Sequence, residues 1–211
     1  MKISEIFTSI QGESTFCGLP CTFVRVTGCN LRCRYCDTTY AFEEGEELNL
    51  DQILNRVRES GISLVELTGG EPLIQEECYL LIKLLLEEGY DVLLETNGSV
   101  PLEKVDSRVV KIVDIKCPGS GMSEHMDFSN IAYLVQKDEV KFVISDRKDF
   151  DWAREIIGKY RLIEKCKVLI SPVTCKIEAK EIARWILEEK LPVRLQLQLH
   201  KFIWPEINRG V

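Results

Sequence analysis

Gly28-Cys29-Asn30-Leu31-Arg32-Cys33-Arg34-Tyr35-Cys36-Asp37-Thr38 places three cysteines within eight residues, spaced C-x3-C-x2-C. Thiolates that close together on a short loop can all turn toward one point, as a metal site requires and a packed core does not. A structural zinc site is normally closed by four ligands, and an ordinary iron–sulfur cluster by four thiolates. Three thiolates on a cubane leave one iron open to a small molecule. Cys17 or Cys21 could lend a fourth thiolate and make a zinc knuckle, so both metal readings stand on the cysteines alone.

Working outward, residues 22–26 form a β-rich run that feeds directly into this loop. Before it, residues 3–10 read as a strand or hairpin arm that ends in Gln11-Gly12-Glu13. After it, strands and helices alternate. Helical spacing runs over 50–60, with Asn49 as N-cap and Gly61 as stop. Helices are also predicted over 76–88, 150–160 and 177–189, with a short one capped by Ser129. Strands are predicted over 63–68, 91–95, 109–116, 139–144 and 167–170. Residues 193–200 alternate Val and Leu with Arg, Gln and His, the pattern of a half-exposed strand carrying His200. Such alternation implies parallel pairing through right-handed crossovers. The polar, glycine-rich stretches fall at the C-terminal ends of the strands, where α/β barrels assemble their sites. A closed (β/α)8 barrel usually needs about 250 residues, and this chain has 211. A partial, open TIM-like barrel of about six parallel strands, in one domain over 1–211, fits better.

Composition narrows the classes. A chain that is 45% hydrophobic and 29% charged is ordinary for a soluble globular protein. No apolar run is long enough to span a bilayer, and no secretory segment opens the chain. Nine cysteines without an export signal point to a reducing compartment, the cytoplasm, and to metal chemistry. A formal charge of −7 argues against a partner bound by phosphate neutralisation, so no nucleic acid is expected.

Gly69-Gly70-Glu71-Pro72 follows a strand at once. Glycine there lets a ligand approach bare backbone, although Gly-Gly before Pro is also a common turn. The cysteine loop and this second motif together resemble the radical S-adenosylmethionine (SAM) enzymes. In that superfamily three cysteines hold a [4Fe-4S] cluster, and the open iron is chelated by SAM. Reduction of the cluster then yields a 5′-deoxyadenosyl radical. A narrower resemblance covers nearly the whole chain. Ser9-Ile10-Gln11-Gly12-Glu13, Phe23 to Cys29, Cys36-Asp37-Thr38, Asp114 to Gly121, Gln198 to Trp204 and the ending Arg209-Gly210-Val211 are similar to 7-carboxy-7-deazaguanine synthases. Those enzymes contract the ring of 6-carboxy-5,6,7,8-tetrahydropterin to 7-carboxy-7-deazaguanine. Ammonia is released, SAM is regenerated and Mg2+ assists, in the biosynthesis of 7-deazapurines such as queuosine.

The resemblance implies roles residue by residue. Cys29, Cys33 and Cys36 would hold the cluster. Tyr35, Cys36 and Asp37 would border SAM, with Gly70, Glu95 and Ser120 on its other sides. Ile10, Gln11 and Gly12 would line the pterin, Thr68 would touch it, and Arg25 would face its carboxylate. Thr38 would bind Mg2+, while His200 and Val211 would close the pocket. A flavodoxin- or ferredoxin-like reductant and a homodimer are implied as well. Several of these residues have plainer readings. Arg25 among apolar neighbours reads equally as a structural ion pair, and Thr38 as a turn hydroxyl capping backbone. Glu13 is a solvated loop acid or a grip on the pterin, and His125 receives no role. Cys17, Cys21, Cys78, Cys166 and Cys175 read as small buried hydrophobes. Cys117, inside the expected SAM loop, reads as a possible extra ligand. Two other functions compete: an activase that makes a glycyl radical on a partner protein, and a zinc-stabilised binding module.

Overall fold

Residues 2–26 fold back on themselves because two β-prone runs flank a polar turn. In the computed structural model, which describes residues 1–207 and 209–211, β1 (Lys2–Ile10) pairs antiparallel with β2 (Pro20–Val26). A two-residue strand, β3 (Glu46–Glu47), adds to the outer side of β1; nothing in the sequence pattern announces it. From β2 onward every pairing is parallel. The helix α1 (Leu50–Ser60) leads to β4 (Leu64–Gly69), and α2 (Glu77–Glu87) to β5 (Asp91–Thr96). Then come β6 (Val110–Asp114), β7 (Glu139–Ile144), α3 (Arg147–Tyr160), α4 (Leu162–Lys165), β8 (Lys167–Pro172), α5 (Ala179–Glu188), β9 (Arg194–Leu195) and α6 (His200–Ile203). The sheet order is β3-β1-β2-β4-β5-β6-β7-β8-β9. It is open, with seven parallel strands among the described residues.

The helix ends follow local chemistry. Asn49 Oδ1 accepts from Gln52 N at 2.9 Å while Gln52 Oε1 accepts from Asn49 N at 2.9 Å, a full capping box for α1. Gly61 ends it in the left-handed conformation (φ 67°). The short helix near Ser129 is a 3-10 turn over Phe128–Tyr133, and its cap is Asp127, which accepts from Ser129 N. The largest departure lies at the C-terminal end. Residues 193–200 do not make one strand: only Arg194–Leu195 pair with β8, and His200 opens α6. Alternation alone could not reveal this, because β8 offers β9 only two residues of partner.

Alternation does decide the two faces of the sheet. Val24, Val26, Val65, Leu67, Val92, Leu94, Val140 and Phe142 point outward and pack under the helices, joined by Ile53, Leu85, Phe150 and Trp185. Inward, the N-terminal ends of the strands are plugged by a second core of Cys21, Phe23, Leu64, Leu93 and Ile112. Phe7 and Phe23 stack there at 4.9 Å. One step further along each strand the inward residues become polar, and the cavity begins.

Candidate active site

A cavity of about 930 Å3 opens at the C-terminal ends of the strands. Its wall includes Cys29, Cys33 and Cys36, all half-buried, together with Tyr35, Asp37 and Thr38 from the same loop. Ile10, Gln11 and Gly12 enter from the end of β1, and Arg25, Thr68, Gly70 and Glu95 from the strands. His200 and Val211 reach it from the tail. Among the described residues given a cofactor, substrate or metal role in the sequence, Ser120 alone stays away. It is fully buried, its hydroxyl donates to Cys117 O at 2.6 Å, and its carbonyl accepts from Arg34 N at 3.0 Å. Ser120 therefore braces the cysteine loop from behind.

The loop is held against the second motif by backbone contact. Glu71 N donates to Gly28 O at 2.7 Å, and Gly70 N to Val26 O at 3.1 Å. A Cβ on Gly70 would run into the Gly28 carbonyl, so only glycine lets the two turns meet. Glu71 itself turns inward: fully buried, it accepts from Thr96 Oγ1 and Asn97 N at 2.7 Å each. It ties the ends of β4 and β5 together.

The donor set fits an iron–sulfur cluster better than a single ion. No three His, Cys, Asp or Glu side chains among the described residues converge on one metal ion. A cubane holds its ligands a cluster's width apart, so three cysteines spread around one end of a cavity suit it. Cys17 is exposed and Cys21 lies in the inner core, and neither lines the cavity, so neither serves as the fourth zinc ligand considered above. Burial pushes the Cys33 and Cys36 thiols up; iron would reverse that by binding the thiolates directly. Leu31 N at 3.4 Å and Asn97 Nδ2 at 3.8 Å donate toward Cys29 Sγ, the kind of contact that tunes cluster potential. Cys117 is fully buried in the helix-side core and is no ligand. Cys175, like Cys17, is exposed, which corrects its reading as a buried hydrophobe.

Several polar groups at the site went unnoticed in the sequence. Lys141, buried, donates to Glu13 at 2.8 Å and to Glu95, and lies 3.6 Å from Asp114. Lys116 pairs with Asp114 at 2.8 Å. Glu95 also accepts from Thr68 Oγ1 at 2.7 Å. Burial would raise its carboxyl, but the Lys141 ammonium overrides that and holds it well below the ordinary range. Glu66, fully buried, accepts from Gln11 Nε2, and burial next to Glu95 raises its carboxyl well above the usual value. The arm bearing Gln11 and Glu13 is anchored from below, where Glu139 accepts from Thr15 N and Thr15 Oγ1. A signal for these residues existed: Glu66 and Thr68, or Glu139 and Lys141, sit two apart on otherwise apolar strands, which puts each pair on one face.

The tail crosses the mouth. Leu199 N donates to Gly12 O at 2.8 Å, and Lys201 Nζ pairs with Asp37 at 2.9 Å. A side chain on Gly12 would collide with the His200 ring. Burial lowers the His200 pKa. Arg25 is engaged through Nε with Glu5 at 2.7 Å, so the ion pair exists, and the residue lines the cavity as well. Among the described residues no helix is long and apolar enough to cross a membrane.

An open parallel sheet with a three-cysteine loop after its first parallel strand, facing a glycine turn after the next, defines a radical SAM protein. The Radical SAM superfamily model matches residues 23–110. Across the full length, the chain is 45% identical to 7-carboxy-7-deazaguanine synthase of Chlorobaculum tepidum, covering 100% of this chain and 97% of that one. It is 45% identical to the synthase of Koribacter versatilis, with 100% of both covered. The chain belongs to the 7-carboxy-7-deazaguanine synthase family. The fold agrees: the crystal structure of QueE from Escherichia coli superposes with a TM-score of 0.77, over 94% of each chain, at 21% identity.

Proposed function

We propose that the chain carries out the ring contraction of 6-carboxy-5,6,7,8-tetrahydropterin to 7-carboxy-7-deazaguanine with release of ammonia, as a carbon–nitrogen lyase serving 7-deazapurine (queuosine) biosynthesis. The observation that carries this reading is the shared cavity, which brings the three-cysteine loop, the Gln11-Gly12-Glu13 arm and Arg25 together. In this reading Cys29, Cys33 and Cys36 hold a [4Fe-4S] cluster that, with SAM, supplies a carbon-centred radical. The backbone of Tyr35 to Asp37, Gly70 and Glu95 borders SAM. Ile10, Gln11, Gly12 and Thr68 orient the flat pterin, and the guanidinium of Arg25 takes its carboxylate. Lys141 fixes Glu13 and Glu95 side by side on its ammonium in the cavity wall. His200, Val211 and the rest of the tail exclude water.

Thr38, on the cavity wall with its hydroxyl donating to the neighbouring Asp37 carboxylate at 3.1 Å, would offer one oxygen to Mg2+. That ion prefers six oxygen ligands and usually keeps several waters, so one protein hydroxyl, substrate oxygens and water suffice. The chain acts as one domain over 1–211, as a cytoplasmic homodimer reduced by a flavodoxin- or ferredoxin-like protein. Anaerobic turnover of the carboxytetrahydropterin with SAM and dithionite tests the reading. Formation of the deazaguanine supports it, with a rate that Mg2+ raises in the parent and not in Thr38→Ala. SAM cleavage without that product would favour a glycyl-radical activase instead.

A further inference from the structure

The pairing of β1 with β2 carries one irregularity. Ile3 lies opposite Val26 and Glu5 opposite Arg25, so Ser4 is an extra residue in β1. A bulge of this kind turns the chain and re-aims the side chains beyond it. Its effect is visible on both faces. Ile3 and Ile6, three residues apart, both pack on the helix-side core, which a regular strand forbids. Glu5 and Phe7 consequently fall on the cavity side, directly across from Arg25 and Phe23. Opposed residues of an antiparallel pair are in side-chain reach of one another.

Glu5 uses that position fully. Its Oε1 accepts from Arg25 Nε at 2.7 Å and from Tyr40 Oη at 2.9 Å. Tyr40 stands in the turn that follows the cysteine loop, and its ring is covered by the Arg209 guanidinium at 4.0 Å. Arg209 pairs in turn with Glu44 at 2.6 Å. The Arg25 Nη groups have no partner among the described residues. A guanidinium presents its donors as a rigid fork. With Nε taken by Glu5, the Nη1–Nη2 edge is the one left for a ligand carboxylate.

We propose that Glu5 and Tyr40 are positioning residues. The bulge at Ser4 places Glu5 where it fixes the Arg25 guanidinium, the Tyr40 hydroxyl fixes Glu5, and together they set the preference for a carboxylated pterin over one without the carboxylate. The inference rests on the reading of Arg25 as the carboxylate grip.

The test compares two ligands on the anaerobic holoenzyme: 6-carboxytetrahydropterin and tetrahydropterin lacking the carboxylate, with SAM affinity as a control. The ratio of their dissociation constants should fall about tenfold in Glu5→Ala and in Tyr40→Phe, the loss of one charge-assisted contact. Glu5→Gln, which still accepts from Nε, should recover most of it. SAM affinity and iron content should stay at parent values. Should Glu5→Ala fail to fold, Tyr40→Phe, which keeps the ring under Arg209, carries the same comparison. A parent ratio in both variants alongside a lost ratio in Arg25→Lys overturns the inference and leaves the Arg25 reading standing. Equal weakening of both ligands also overturns it, since that marks a structural role. A parent ratio in Arg25→Lys overturns the Arg25 reading and the inference with it.

Discussion

Cys29, Cys33 and Cys36 differ from the other six cysteines in place, not in type: they line the cavity from one short loop, whereas Cys175, which also lines it, stands far off in the chain. Each single change to Ala is expected to abolish the reducible cluster signal, measured by electron paramagnetic resonance, together with SAM cleavage. Cys17→Ala, Cys21→Ala and Cys117→Ala should keep both. A cluster lost in Cys17→Ala as completely as in Cys33→Ala would refute three-thiolate ligation. That these three line the cavity together was legible in their spacing on one short loop. Glu66 was not legible, because one acid on an apolar strand says nothing until its surroundings are known. Burial holds its carboxyl neutral, so the native state binds a proton that the unfolded chain releases above its ordinary value of 4.5. Its contribution therefore falls as pH rises above that value, by up to about 1.4 kcal/mol per pH unit. Glu66→Gln removes the slope and still accepts from Gln11. Its melting temperature relative to the parent should climb from pH 5 to pH 8; a difference that shrinks would contradict the neutral carboxyl.

At the scale of elements, the site depends on turns meeting turns. Gly69 packs on Val26, Gly70 on Gly28 and Gly12 on His200, each with no room for a Cβ. Gly70→Ala must push the turn off the cysteine loop. Overpacking of this kind costs about 1–3 kcal/mol, and SAM affinity should drop with it. Gly89→Ala is the control: its φ of 87° strains alanine, but nothing lies within 4 Å, so SAM binding should be unchanged in titration calorimetry. Parent-like SAM affinity in Gly70→Ala would mean that the two turns need not touch. Most elements were readable from periodicity and caps, α1 to the residue. The tail was not. Its alternation resembles a strand, yet what shapes it is the groove it covers, through Leu199 on Gly12 and Lys201 on Asp37. The bulge at Ser4 was equally hidden, since it exists only in the pairing of two strands.

At the scale of the whole molecule, one sheet does two jobs by alternation and layering. Its outer face and its lower inner layer are apolar and hold the fold. Its upper inner layer is polar and meets the glycine turns and the cysteine loop. The open parallel architecture was legible from the order of strands and helices. The nine-strand total was not, because β3 and β9 are two residues each and gain their identity from neighbours. The same layering sets what the molecule can do: in the reading proposed above, a radical made at the cysteine end is released into the cavity that the Gln11-Gly12-Glu13 arm and Arg25 also line. The most direct test of that claim is anaerobic turnover of 6-carboxytetrahydropterin deuterated at C6, following both the label and the SAM pool by mass spectrometry. Deuterium in the 5′ position of SAM or 5′-deoxyadenosine, or returned to the product, with little net loss of SAM per deazaguanine formed, is the result this account requires. One SAM consumed per deazaguanine formed, with no deuterium entering SAM or 5′-deoxyadenosine, would contradict it.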